Sequence, residues 1–501
     1  MDSKGKFRNH ISIIFEKLGA VSGAIIAFAI INVENIANLL KEGTRSELSL
    51  SFLIGTAVVI AILVVSLVYQ LVIWSKTYIY VQDNSIVIEK NTLHKTKNTV
   101  GIRSISNVNI EQNLFEMFIG TCSLKLDTNS MSTADETDVK IVLKKNDAKE
   151  LRKYLMTAMQ DISERSKPLA EASSKIASDW MLEVSGKEML SHGLLAVNVV
   201  SLLIAIGTFI ALISMIVTGA EKVIRGESVV GMFFGLLMAG GMWVSAMRDL
   251  LKGFIKYYNF KITRRGDRLY MSYGLLKKVN YTIPVEKINA LKLKQSLFAR
   301  ISGHYMAEII NIGMGDDEEE TESFLFPYCR IETVAARITE LIPEYDFAKE
   351  LTYDRQPRSV WLAWIIPFSF YIAIVAALIG IGSNYFGEYF TWIIAAGALM
   401  ILFGIIFLAA GFMIDGYRFG DEDILLVDGF LEKKYCFVLY RKIQFVEYIQ
   451  NPFARLSGIQ KARIYILASA LNRAHDVAYF SSINQEFLKD KILTAHSVGR
   501  S

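Results

Sequence analysis

Six stretches of the chain contain no Asp, Glu, Lys or Arg: Leu18–Val33, Ser51–Ser75, Met189–Ala220, Ser228–Met247, Ser359–Gly387 and Tyr389–Ile414. All but the first reach the roughly 18–20 residues that a helix needs to cross the hydrocarbon core of a membrane. They are arranged two by two. Within a pair the gap is short (Glu34–Leu50, Glu221–Glu227, and Glu388 alone), whereas between pairs it is long (Lys76–Glu188 and Arg248–Arg358), and a third long segment is Asp415–Ser501. The pattern predicts three membrane-spanning helical hairpins, each followed by a water-soluble segment, with the amino terminus and all three segments on one side. The first run gains length when extended back to Ile11, with Glu16 and Lys17 at the interface, where Lys can snorkel. It reads as a retained span and not a signal peptide, because apolar sequence continues past the Ala27-x-Ala29 pair and a second run follows.

The long segments are copies of one another. Each contains Gln-x-x-Phe-x-x-x-x-Gly, as Gln112, Phe115 and Gly120; as Gln295, Phe298 and Gly303; and as Gln450, Phe453 and Gly458. At constant offsets before the Gln stand Ile105, Ile288 or Ile443; Val108, Leu291 or Val446; Lys95, Lys278 or Lys433; and Asn91, Gly274 or Gly429. The last set points to a turn with a positive φ, which Gly and Asn tolerate. A repeat at this spacing is the dominant organising feature. In the second copy the β-prone stretches are Tyr257–Thr263, Arg268–Tyr273, Lys278–Ile283, Ile288–Gln295, Tyr305–Ile312 and Ser323–Phe326. A helix then follows, with Val334, Ile338 and Ile342 on one face, and Ala148–Met159 and Glu486–Leu493 are its equivalents. Gln295 lies further from its span than Gln112 or Gln450 does, so the fourth span should continue for roughly three extra turns.

The expected fold class is thus an α+β membrane protein of three repeats, each a transmembrane helical hairpin followed by a small barrel of short strands with a carboxy-terminal helix. The boundaries are 1–75 for the amino-terminal tail and first hairpin, 76–165 for the first domain and 166–188 for a linker. They continue with 189–256 for the second hairpin and its juxtamembrane helix, 257–347 for the second domain, 348–358 for a linker, 359–414 for the third hairpin and 415–501 for the third domain.

Composition adds exclusions. The chain is 52% hydrophobic, with 54 Lys and Arg against 50 Asp and Glu. A secreted, fibrous or disordered chain does not segregate charge in this way, and a porin-type barrel would alternate. A net charge of +4 gives no case for nucleic acid. Of the basic residues, only Lys41, Arg45, Lys222 and Arg225 fall in the short loops. Basic residues on the flanks set orientation, placing the amino terminus and the domains in the cytoplasm. Cys122, Cys329 and Cys436 are isolated and suggest neither a disulfide framework nor a zinc site. No Walker loop, HExxH or GxSxG is present, so no catalytic residue, cofactor or metal is expected.

The run Gly274-Leu-Leu-Lys-Lys, then Thr282-Ile-Pro-Val-Glu-Lys-Ile288, then Gln295-x-x-Phe298-x-Arg300-Ile-x-Gly303 resembles the bacterial pleckstrin-homology domain family (the bPH2 type). The third copy fits through Gln450-Asn-Pro-Phe-Ala-Arg-Leu-Ser-Gly458. The first departs, with Met117 in place of the Arg and no Pro in the strand before Gly101. The whole chain resembles the YdbT-type multi-span membrane proteins of Gram-positive bacteria. The resemblance implies a PH-like barrel, a cell-membrane location and no known catalytic activity.

Each candidate site has a plainer account. The Gln…Phe…Gly motif is first of all a buried Phe anchoring a turn, with Gln bonding backbone groups and Gly letting the chain bend. Arg300 and Arg455 are candidates for contact with a lipid phosphate or a partner carboxylate. The exit from the fourth span carries Arg248, Lys252, Lys256, Lys261, Arg264, Arg265 and Arg268. Of these, Lys261, Arg264, Arg265 and Arg268 are the further candidates, although a basic flank is ordinary. The run Asp316–Glu320 with Glu322 reads as a solvated loop and not as a cation site. Inside the spans only Gln70, Asn198, His192 and Asn384 are notable, too few for a proton path. Gly19, Gly23 and Ala27, and separately Gly231 and Gly235, suit close helix contact. These features predict a non-enzymatic membrane scaffold whose domains bind a protein partner or anionic headgroups, with self-association included, in envelope maintenance or stress response. The alternative is a transporter or lipid-handling protein gated by its domains.

Overall fold

The structure, a computed structural model, describes residues 6–15, 50–92, 94–128, 139–166, 180–225, 230–311, 323–468 and 473–498. The Leu18–Val33 run, with Gly19, Gly23 and Ala27, and the acidic run Asp316–Glu322 lie outside the described residues. The chain forms two compact units, one of Met1–Ser173 with Leu276–Tyr281, the other of Ser174–Leu275 with Thr282–Ser501. The fold is α+β, with apolar helices and antiparallel sheets in three repeats.

In the first unit, the span helix α1 (Leu50–Lys76) runs directly into β1 (Thr77–Gln82), β2 (Ser85–Asn91) and β3 (Lys95–Gly101), a sheet in that order. A single 3-10 turn at Ile102–Ser104, with Ile102 buried, takes the chain into a second sheet. That sheet is β4 (Ile105–Gln112), a short helix α2 (Leu114–Ile119), β5 (Thr121–Thr128) and β6 (Val139–Lys144), closed by helix α3 (Lys145–Ser166). The two sheets and α3 enclose one core of Ile79, Ile86, Val108, Leu124, Ile141 and Leu155. Upstream of the first hairpin, Phe7 bridges Ile79 of β1. A later segment completes the unit: Lys278, Val279 and Asn280 pair with Gln112, Glu111 and Ile110 of β4. The joint contains a buried carboxylate, Glu111, which meets Lys125 at 3.4 Å, Lys277 at 3.1 Å and the Tyr281 hydroxyl at 2.7 Å. Burial opposes its charge, but the two lysines and the hydroxyl hold it below the usual carboxylate range.

The second unit repeats the plan twice. It comprises β7 (Trp180–Glu183), α4 (Gly186–Leu195), the hairpin α5 (Val199–Ile224) and α6 (Val230–Lys256), then β8 (Lys261–Arg265) and β9 (Arg268–Tyr273). Strand β10 (Lys278–Pro284) straddles the division between units. It is followed by β11 (Ile288–Gln295), α7 (Leu297–Ile301), β12 (His304–Asn311), β13 (Ser323–Arg330) and α8 (Ile331–Leu341). The third repeat has β14 (Asp354–Arg355), α9 (Val360–Ala363), the hairpin α10 (Ile365–Tyr385) and α11 (Phe390–Ile414), β15 (Gly416–Phe419), β16 (Asp423–Asp428) and β17 (Lys433–Leu439). After a 3-10 turn at Tyr440–Lys442 come β18 (Ile443–Ile449), α12 (Pro452–Leu456), β19 (Ile459–Ile466), β20 (Ala474–Ser481) and α13 (Asn484–Val498).

Four points differ from expectation. The implied closed barrel is not found among the described strands. Instead, β11 pairs with β17 of the next repeat, and one sheet runs β13-β12-β11-β17-β16-β15-β14. The third repeat's core accordingly includes Ala290 and Ile310 from its neighbour beside Val438, Ile464 and Phe480. The stretches expected as linkers at 166–188 and 348–358 carry structure: β7 pairs with β8 and β14 with β15. The second and third hairpins are thus clasped at the base, because the strand before each bonds to the strand after it. The β-prone stretch at Tyr257 starts as a strand only at Lys261, since α6 runs to Lys256 and Asn259 turns at φ 52°. Finally, Asn91 does not share the positive φ of Gly274 and Gly429, whose values are 112° and 121°.

Among the described residues four helices are long and apolar enough to cross a membrane: Phe52–Lys76, Val199–Gly219, Ile365–Tyr385 and Gly387–Ile414. Side chains such as Val65, Phe370 and Leu399 stand open, which water penalises and lipid does not. Helix α6 continues to Lys256, about two and a half turns past Met247. Small residues let the hairpin arms touch. A Cβ on Gly397 would lie 2.3 Å from Ile379, Gly235 packs on Met215, and the Tyr371 hydroxyl bonds Met400 O at 2.6 Å.

Removing the Glu111 carboxylate by Glu111→Ala should lower stability by about 3 kcal/mol, because it takes a buried partner from Lys125 and Lys277. Tyr281→Phe should cost about 1 kcal/mol. Thermal melts in detergent would check both, and equal effects would contradict the assignment of the joint to the carboxylate.

Candidate functional site

The repeated motif builds the same device three times. The residue after the Gln is a helix cap, Asn113, Ser296 or Asn451. Its side chain accepts from the backbone N–H three positions on, at 2.7 Å from Glu116, 3.1 Å from Ala299 and 2.8 Å from Ala454. The Gln amide, Gln112, Gln295 or Gln450, donates to the carbonyl that opens the next strand, at 2.6 Å to Thr121, 3.1 Å to His304 and 2.8 Å to Ile459. Gly120, Gly303 and Gly458 end the turn at φ 79°, 68° and 64°, with open space where a Cβ would stand. Their requirement is therefore for backbone conformation and not for room.

The aromatic position departs from the expectation of a buried anchor. Phe115 is exposed and touches Phe15 with ring centroids 5.9 Å apart, while Phe298 and Phe453 are only half-buried. The buried position is the next one, Glu116, Ala299 or Ala454. Three residues after each Phe an apolar side chain points outward almost uncovered: Phe118 at 93%, Ile301 at 80% and Leu456 at 84% exposure. Sequence reading passed over these residues and the caps, although both recur at fixed offsets from the Gln.

The caps also fix where these short helices lie. Ser296 Oγ donates to Leu195 O, just ahead of the span helix α5, and Asn451 Nδ2 donates to Ala363 O at 2.7 Å, just ahead of α10. Ala454 and Ile459 pack with Val360, Ala363, Trp364 and Phe412, joining α12 to α9, just ahead of the hairpin, and to the end of α11. Trp361 and Trp364, at the same level, are the amphipathic rings that favour a headgroup interface. In the second and third repeats the motif thus holds the domain against the mouth of its own hairpin.

Of the basic candidates, Lys261 bonds Glu183 at 2.6 Å. Arg264 is held by Glu344 at 2.7 and 3.0 Å and by Leu341 O at 2.7 Å. Arg265 lies 5.8 Å from the Tyr270 ring centroid, and Arg268 is half-buried. Arg300 and Arg455 are exposed, and neither has a carboxylate partner among the described residues. They immediately precede the outward Ile301 and Leu456.

The polar residues assigned to spans resolve differently. Helix α4 ends at Leu195, so His192 precedes the span. It sits buried among Tyr257, Phe324 and Tyr328, and burial pushes its pKa down to about 4. Asn198 caps α5, accepting from Val200 N at 2.8 Å. At the foot of α11, Asp415 is pushed up to about 7 by burial and by the nearby charge of Asp428, against a weaker pull from Lys461.

The bacterial PH domain family matches the chain three times, over residues 26–159, 194–342 and 362–493. A protein of Bacillus subtilis (strain 168) described as UPF0699 transmembrane protein YdbT is 20% identical over 443 residues, covering 83% of this chain and 84% of that protein. No solved structure matches.

A carboxyl whose pKa is raised on folding contributes most stability when protonated, and loses it as pH climbs through the folded value, here about 7. That loss begins near the unfolded value of 3.8, so Asp415→Asn should raise the melting temperature strongly at pH 8.5 and little at pH 4. A uniform shift at both pH values would show that the carboxyl's ionisation is not the cause.

Proposed function

The chain belongs to the bacterial PH domain family and is a membrane protein, and from that premise we propose that it is a non-enzymatic scaffold of the cell membrane whose domains seat on anionic headgroups of the cytoplasmic leaflet. The observation that carries this reading is the pairing of an Arg that has no carboxylate partner among the described residues with an outward apolar side chain, Arg300 with Ile301 and Arg455 with Leu456. Each pair lies on a short helix bonded to the mouth of a span. In the first repeat Phe118 supplies the apolar part, with Met117 in place of the Arg. A basic residue near an anionic leaflet gains about 1 kcal/mol, and full burial of an Ile or Leu side chain gains roughly 1.5–3 kcal/mol. Because the spans already hold the domains at the surface, even weak contacts act at high effective concentration. Their effect would be to choose which lipids surround the protein and how the domains lie on them, in the setting of envelope maintenance or stress response. The cytoplasmic placement rests on the basic residues flanking the spans.

The alternative of a transporter or lipid-handling protein has fewer polar residues inside the spans to draw on. Asn198 is occupied as a helix cap and His192 lies ahead of the span, which leaves Gln70 and Asn384 as isolated amides.

The test requires the whole chain, because residues 257–345 alone would sever β11 from β17 and β8 from β7. An environment-sensitive fluorophore on Leu456→Cys or Ile301→Cys, in nanodiscs, should report an apolar setting with anionic lipid. The signal should weaken with raised salt and in Arg300→Ala/Arg455→Ala. Emission that stays aqueous in both neutral and anionic discs would end the lipid reading and leave these faces to a protein partner.

A further inference from the structure

The repeats join through one strand pair with a fixed register. Gln295, the last residue of β11, stands opposite Lys433, and the pairing continues through Leu293 with Tyr435, Leu291 with Phe437 and Ala290 with Val438. In the first unit Gln112 likewise stands opposite Lys278. The motif Gln of one repeat therefore always meets the motif Lys of the next. This arithmetic leaves two halves over. Lys95 opens β3 in the first of the three repeats, and Gln450 follows β18 in the third. Both strands are last in their sheets, which run β1-β2-β3 and β18-β19-β20. Among the described residues neither has a strand on its outer side.

Both edges are also uncovered. Lys95 to Thr99 are exposed along β3, and in β18 Phe445 is 58% exposed and Ile449 37%. A row of unpaired N–H and C=O groups on an exposed edge is a template for another strand. Lysines on an edge often discourage such pairing, but β17 carries Lys433 and Lys434 and is paired in full. There Lys433 lies over the Tyr353 and Tyr435 rings at 4.8 and 4.6 Å. A lysine at this place in the repeat is therefore compatible with the joint.

We propose that β18 of one molecule pairs with β3 of a second copy of this chain, head to tail, in the register of the internal joints. That register sets Gln450 against Lys95, Tyr448 against Lys97, Val446 against Thr99 and Phe445 against Val100. It opposes no like charges, whereas the internal joint tolerates Lys294 against Lys434. Val446 with Thr99 and Phe445 with Val100 are β-branched and apolar pairs of the kind that stabilise cross-strand contacts. The β11–β17 joint already connects two domains whose hairpins enter one membrane, so a joint of the same form between molecules suits a single bilayer. A heterologous contact of this kind yields a ring or an open row of molecules. The proposal goes beyond lipid seating and does not depend on it.

Two differently tagged full-length chains, one Lys97→Cys and the other Tyr448→Cys, would be co-expressed and oxidised in native membranes, with the unsubstituted chain as background for Cys122, Cys329 and Cys436. A disulfide-linked dimer containing one of each tag is expected, several-fold above that formed when Glu447→Cys replaces Tyr448→Cys. Neither variant alone should cross-link. Lys97 is exposed and Tyr448 packs only partly against the third core, so folding of both variants is checked by thiol labelling after detergent extraction. If labelled, inserted chains give no mixed dimer, or if Lys97→Cys links to itself, the proposal is overturned.

Discussion

Backbone hydrogen bonding across the boundary between repeats is the interaction on which the rest of the architecture depends. A six-stranded domain made of two three-stranded sheets has open edges, and each open edge is a set of peptide groups that must find either water or another strand. Here the fourth strand of one repeat takes the third strand of the next. Two small sheets thereby become one of seven strands, and a core that would be marginal alone is extended by residues such as Ala290 and Ile310. The same logic works at a smaller scale at the hairpins. The few residues before the second and third hairpins, Trp180–Glu183 and Asp354–Arg355, bond to the first strand after each, and Phe7 bridges Ile79 of β1.

The motif helix connects this sheet framework to the membrane. Its Gln and Gly are internal to the domain, one tying the helix to the next strand and the other supplying the left-handed turn. In the second and third repeats its cap faces the other way and bonds the carbonyl ahead of a span. Five or six residues thus carry a domain contact on one side and a membrane-mouth contact on the other. What remains of the helix surface is an Arg beside an uncovered Ile or Leu. The arrangement explains why the motif recurs intact while the strands around it vary: loss of the Gln or of the cap would detach the domain from its hairpin rather than merely loosen a core.

Charge is distributed by the same division of labour. Lys261 and Arg264, which look in the sequence like the head of a basic patch, are consumed by Glu183 and by Glu344, and they brace β8 against β7 and against the end of α8. Arg300 and Arg455, the candidates within the motif itself, have no carboxylate partner among the described residues. Pairing depends on which acid the fold brings near, and Glu344 lies 80 positions from Arg264.

The sequence by itself determined the four long apolar helices found among the described residues, the three repeats, the α+β class and the family, because each is written in short-range pattern. Apolar run length is a direct requirement of bilayer thickness, and equal offsets between Gln, Phe, Gly and Lys need no structure to be seen. Even the register of the internal joints is latent there, since each Lys stands seventeen residues before its Gln. Only the tertiary structure decided that this Lys meets the Gln of the preceding repeat, that the strands run on between repeats in place of closing a barrel, and that Ile301 and Leu456 face outward while Phe298 and Phe453 do not. Strand edges are alike in composition whether free or paired, and a helix of five residues has too few positions for periodicity to tell one face from the other. Long-range pairing assigned those edges and faces, and it is the part of the fold that local pattern does not carry.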